Sequence, residues 1–228
     1  MLSCSHLQKE GYSEKNLTSV VFQILNYSRH DMYYVIDYLT NPSVEDDDDG
    51  PFLEIHEELV KRPEPINWHM GKRFDTDVTV PIEVPVSPRF DYDGPPPDFF
   101  DGSISLLSPR LAKILQDNGV NNLDLYEVVL IYTDSGARLK HYAFNITNKA
   151  SVIDFKKSNI ESYDGNYSSD SSIRGFAADE HKIQNLPSIF RLEENVMTVL
   201  VHERIKNAIH AAGINSFAFV EPKNWIQL

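Results

Sequence analysis

The chain has 228 residues, 41% hydrophobic and 24% charged, with 34 acids against 21 bases and a formal net charge of −13. That length suits one large domain or two small ones, and no apolar run approaches the roughly 20 residues of a membrane helix. The acidic sign disfavours nucleic acid and anionic membranes as partners, and Cys4, the single cysteine, can form neither an intramolecular disulfide nor a four-thiolate zinc site.

The charge is unevenly placed. Residues 32–103 hold seventeen acids against five bases, residues 104–228 fourteen against thirteen, and residues 1–31 three of each. Such a field favours a basic partner. No basic stretch leads into an apolar one at the N-terminus, so the cytoplasm is the expected compartment.

Residues 1–31 have polar flanks around a short apolar stretch and read as an appended arm, or as a start assigned too far upstream of Met32. Tyr33-Tyr34-Val35-Ile36 is the β-prone first strand of the domain. Glu45 and Asp46–Asp49, followed by Gly50, form an acidic loop. In VTVPIEVPV (78–86), Pro81 and Pro85 cannot donate ladder hydrogen bonds, which predicts an edge strand or an extended arm. FDYDGPPPDFFDG (90–102) reads as a loop that mixes aromatics with four aspartates, a composition suited to a contact surface.

The second half is more regular. SPRLAKILQDNG (108–119) is a helix with Ser108 as cap, Pro109 in the first turn and Gly119 as the stop. LDLYEVVLIY and LKHYAFNIT form a hairpin around Asp134-Ser135-Gly136. SVIDFKKS is a short element, and SYDGNYSSDSSIRG (162–175) is a polar loop. FAADEHKIQ and SIFRLEEN are strand candidates, and the chain closes with a strand, a helix and a strand.

That closing stretch overlays the first helix at a shift of 94 residues. Arg204 falls on Arg110, Ile205 on Leu111, Ile209 on Leu115, Gly213 on Gly119 and Asn215 on Asn121. Both helices are amphipathic and read as cover for a sheet. The expected fold class is α+β, a mixed, mainly antiparallel sheet covered by a few helices. It forms one domain over 32–228, with an acidic, proline-rich part (32–103) and a sheet-and-helix part (104–228).

Catalytic signatures are missing. Neither phosphate-binding glycine loops nor a GxSxG elbow occur. His56-Glu57 and His202-Glu203 begin like a zinc-protease motif, but Val60 and Lys206 stand where its second histidine belongs. No catalytic residue, metal site or cofactor is therefore assigned. Asp179, Glu180, His181 and His202 are the residues an enzymatic alternative would have to use.

MYYVIDYLTNP, LSPRLAKILQDNGVNNLDLYEV, HYAFNITNKASVIDFKKS, IFRLEEN and VLVHERIKNAIHAAGINSFAFVEP together span about residues 32–222. In their order they resemble a bacterial immunity-protein family of polymorphic toxin systems. The resemblance implies a cytoplasmic antidote that neutralises a secreted toxin, often one delivered by contact-dependent or type VI secretion, by binding it one to one. The family pattern carries no transferable binding residues. The acidic and aromatic stretches of this chain supply the expectation instead: Asp46, Asp47, Asp48, Asp49, Asp91, Asp93, Asp98 and Asp101 as a charged rim, with Tyr92, Phe99 and Phe100 as anchors for a toxin of basic surface.

Overall fold

Runs of β-branched and aromatic residues set most of the strands. The computed structural model describes residues 32–38, 53–60, 66–88, 94–161 and 172–226. In chain order the elements are β1 (Tyr33–Asp37), β2 (Leu53–Ile55), β3 (Ile82–Pro88), β4 (Phe99–Asp101), β5 (Ser105–Leu107), α1 (Pro109–Asp117), β6 (Leu123–Tyr132) and β7 (Arg138–Ile146). There follow β8 (Lys149–Ala150), β9 (Ile160–Glu161), β10 (Ser172–Ile173), β11 (Ile189–Leu192), β12 (Val199–His202), α2 (Glu203–Ala211) and β13 (Ala218–Val220). Among the described residues no helix is long and apolar enough to cross a membrane.

These strands build a six-stranded sheet of order β2-β3-β6-β7-β5-β4, a five-stranded sheet of order β13-β1-β12-β11-β8, and a ribbon of β9 with β10. Pairing is antiparallel except for β3 with β6 and β8 with β11. The α+β class, with mixed and mainly antiparallel sheets under the two helices of the described residues, is thus the observed one. The β6–β7 hairpin turns where expected: the Asp134 carboxylate accepts the Ser135 amide at 2.6 Å, and the ladder runs from Leu123 opposite Ile146 to Ile131 opposite Arg138.

The predicted Ser108 cap forms, its Oγ accepting the Leu111 amide at 3.1 Å; at the start of α2 the structure adds a cap that was not predicted, His202 Nδ1 accepting the Arg204 amide at 3.0 Å. Gly119 and Gly213 take φ of 75° and 71°, which lets Val120 N reach Leu115 O and Ile214 N reach Ile209 O. Each helix therefore ends in the same six-to-one closure. Ser108→Ala is expected to cost about 1–2 kcal/mol through loss of this cap, read as a lower urea midpoint. An unchanged midpoint would mean the α1 start is held some other way.

Three expectations need correction. β3 is no edge strand: it lies between β2 and β6. Pro85 is tolerated because its carbonyl accepts from His56 N at 3.0 Å. The amide and carbonyl of one strand residue face the same side, so the missing donor faces the three-residue β2 and leaves the long β6 ladder whole. FAADEHKIQ is a bridge (Ala178 with Ile153) followed by a turn, since Asp179 Oδ1 accepts the His181 and Lys182 amides and bends the chain. The stretch read as a loop over 90–102 contains β4, whose two phenylalanines pair with Leu107 and Leu106.

Three apolar clusters result. The central one joins both sheets and both helices, with Phe99, Leu111, Leu115, Phe144, Val201, Ile205 and Ile209 among its members. One outer cluster lies on the far face of the first sheet around Trp68, Val84, Phe100 and Leu130. The other lies on the far face of the second sheet around Phe176, Phe190 and Leu200.

Candidate functional site

Alternation along β4 sends Phe100 to an outer cluster and leaves Phe99 and Asp101 on the face that meets the second sheet. Arg191 comes from β11 to meet Asp101. Its Nη1 donates to Asp101 Oδ2 at 2.8 Å and its Nη2 to Oδ1 at 3.0 Å, a two-pronged pair, while Nη1 also reaches Val196 O at 2.9 Å. Ser105 Oγ donates to the same carboxylate, and His69 Nε2 lies 3.3 Å from Asp101 Oδ1. Asp101 is 1% exposed, and Arg191 and Ser105 are 0% exposed.

Burial by itself pushes the Asp101 carboxyl upward. The Arg191 charge, helped by hydrogen bonds from His69 and Arg191, outweighs that and holds the carboxyl below the ordinary aspartate range. Nearby Tyr38 is pushed up to about 12 by burial and then by the Asp101 charge. His141 is a further buried polar group: among the described residues neither ring nitrogen has a partner in hydrogen-bond geometry. Burial pushes its pKa below the ordinary histidine value, so the ring is held neutral.

Ser105, His69 and Asp101 are the residue types of an acyl-transfer triad. The arrangement is different. One imidazole nitrogen, Nε2, faces both the serine (3.4 Å) and the carboxylate, whereas a triad orients its histidine through the opposite nitrogen. The serine hydroxyl also gives its proton to the carboxylate and is sealed from solvent. Ser105 and His69 hold the Asp101 carboxylate, which ties its sheet to the other through Arg191.

The predicted binding residues fall into two groups. Phe99 and Phe100, expected as surface anchors, are interior at 2% and 7% exposure. Phe99 packs on Phe144 and Phe217, and Phe100 on Tyr38. Asp101, expected on a charged rim, is the anion of the buried pair. Asp98 is half-buried and accepts from Ser108 Oγ and Ser216 Oγ, which fixes the start of α1. Aromatic and acidic residues in sequence look alike whether they line a surface or, as here, a three-residue strand pressed between layers. Asp46, Asp47, Asp48, Asp49, Asp91, Tyr92 and Asp93 lie outside the described residues.

The residues of the enzymatic alternative have local tasks. Asp179 forms its turn, and His202 caps α2 with its ring edge against Tyr33. Glu180 and His181 are exposed. Among the described residues no group of three or more His, Cys, Asp or Glu is placed to hold a metal ion. Sequence reasoning missed Arg191 and His69. The signal for Arg191 was present, an arginine inside the apolar run SIFRL.

What these contacts define, among the described residues, is a mainly β scaffold of two large mixed sheets and two helices, clasped through a buried ion pair. A family model described as "Immunity protein family (Imm11)" matches residues 37–224. The chain belongs to that immunity-protein family, in agreement with the resemblance carried by its sequence segments. A search among curated proteins finds no match.

Proposed function

We propose that this chain is the antidote to a cognate bacterial toxin, one delivered between competing cells, and that it neutralises the toxin by one-to-one binding in the cytoplasm. Family membership over residues 37–224 carries this reading. The concentration of seventeen acids against five bases in residues 32–103 supports a toxin with a basic surface. An enzyme with a basic substrate groove is the toxin class such a charge would occlude. Neither a cofactor nor turnover is needed for this action.

Co-expression with the product of the adjacent open reading frame tests it. Growth rescue together with a one-to-one complex is the expected result. Rescue at small substoichiometric amounts, without a complex, would overturn the binding mechanism in favour of an enzyme. Within this reading the run Asp46–Asp49 steers association. Changing all four to Asn should slow the association rate about tenfold at low salt and flatten its salt dependence. A stopped-flow rate equal to that of the wild type would remove the run from the mechanism.

A further inference from the structure

The 94-residue overlay extends well beyond the two helices. β4-β5-α1-β6 and β11-β12-α2-β13 follow the same path, and each sheet slots one further strand between the second and last strands of that unit: β7 in the first, β1 in the second. The orders β4-β5-β7-β6 and β11-β12-β1-β13 correspond strand for strand. Registers agree as well. Leu107 lies opposite Phe99 and Tyr142, and its equivalent Val201 lies opposite Ile189 and Tyr34. Tyr126 lies opposite Ala143, and its equivalent Val220 opposite Val35. The Ser108 amide bonds to Asp98 O and the His202 amide to Ser188 O.

Contacts between the halves are reciprocal. Arg110 donates through Nη2 to Ala212 O at the end of α2, and Arg204 donates through Nη1 to Asn118 O at the end of α1. Arg110 and Arg204 differ by 94 residues, and so do Asn118 and Ala212. Likewise Asn122 of one half reaches Ile189 O, while Ser216, its equivalent, bonds to Asp98 beside Phe99, the equivalent of Ile189. A contact from i to j matched by one from the equivalent of i to that of j is the mark of a two-fold axis.

Asp101 and Arg191 occupy one and the same position in the two halves. Asp101 lies opposite Ser105 and Arg191 opposite Val199; Ser105 and Val199 are 94 residues apart, whereas β4 and β11 correspond at an offset of 90. They also touch each other, which puts them on the axis. We infer that the chain is a fused pseudo-dimer of one β-β-α-β unit, and that Asp101–Arg191 is a charge lock on its two-fold axis that makes the pairing heterotypic. Two copies of the first half would bury Asp101 against Asp101, and two of the second Arg191 against Arg191. The pair therefore favours union of unlike halves within one chain over like-with-like pairing between chains.

Charge reversal in the full chain tests the lock. Asp101→Arg and Arg191→Asp should each lower the urea midpoint sharply. The double variant should recover at least half of the summed loss and keep the wild-type elution volume, because equivalent positions accept either partner. Recovery stays partial because Ser105 and His69 surround position 101 only. A double variant as unstable as the two losses added would overturn the inference. If the single variants do not fold, the double variant decides alone: folded supports the lock, unfolded refutes it.

Discussion

Asp101→Asn should destabilise the chain by about 3–5 kcal/mol. The amide keeps the shape of the carboxylate and can still accept hydrogen bonds, but it removes the one anion that, among the described residues, pairs with the fully buried Arg191 guanidinium. An uncompensated buried cation is the expensive product, more so than the lost pair itself. Denaturation in urea at pH 7 reads the loss directly. A cost below about 1 kcal/mol would mean that Arg191 is solvated in a way its burial contradicts.

The same variant carries a pH signature. Since the folded pKa of Asp101 is lowered, its contribution is complete above the unfolded aspartate value of about 4 and is lost as pH falls through the folded value. The Asn side chain does not titrate. Wild type and variant should therefore lie furthest apart at neutral pH and converge in acid. A gap that stayed constant from pH 7 to pH 2 would detach the effect from the carboxylate charge.

Gly175→Ala should cost about 2–5 kcal/mol. Gly175 has φ of 95°, and a Cβ there would lie 2.3 Å from the carbonyl oxygen of Lys223. The neighbour is backbone and is held: Phe176 N bonds to Pro222 O, Asn159 N bonds to Gly175 O, and Arg174 bridges Ile226. Relief would require the 222–226 segment to move off the outer cluster that contains Phe176, on which Trp225 packs. Gly119→Ala is the matched control. Its φ is 75° but no described residue lies within 4 Å of the added carbon, so only the left-handed backbone penalty of about 1–2 kcal/mol applies. Equal losses for the two variants would show that the carbonyl contact carries no weight.

Local structure was largely legible in the sequence because its causes are local. Ser108, Pro109 and Gly119 delimit α1 whatever packs on it. Asp134-Ser135-Gly136 joins two β-prone runs, and such runs have little choice but to pair. The recurrence of Arg, Gly and Asn at 94 residues exposed one part of the duplication. The rest was hidden, since β4 and β11 correspond at an offset of 90 rather than 94 and share one residue type, Phe100 with Phe190, and β1 precedes its unit in the chain while β7 follows its own.

By itself, then, the sequence determined the class of fold, the two capped helices, the central hairpin and the family to which the chain belongs, all through patterns that span a few residues or recur in order. Tertiary structure alone decided which side chains are interior. Phe99, Phe100 and Asp101 read as a contact surface until β4 is set against β5 and the second sheet, and β3 read as an edge until β2 covers its proline. Arg191 found its anion 90 residues away in the chain. Burial and charge pairing depend on contacts between distant segments, and no local periodicity encodes them.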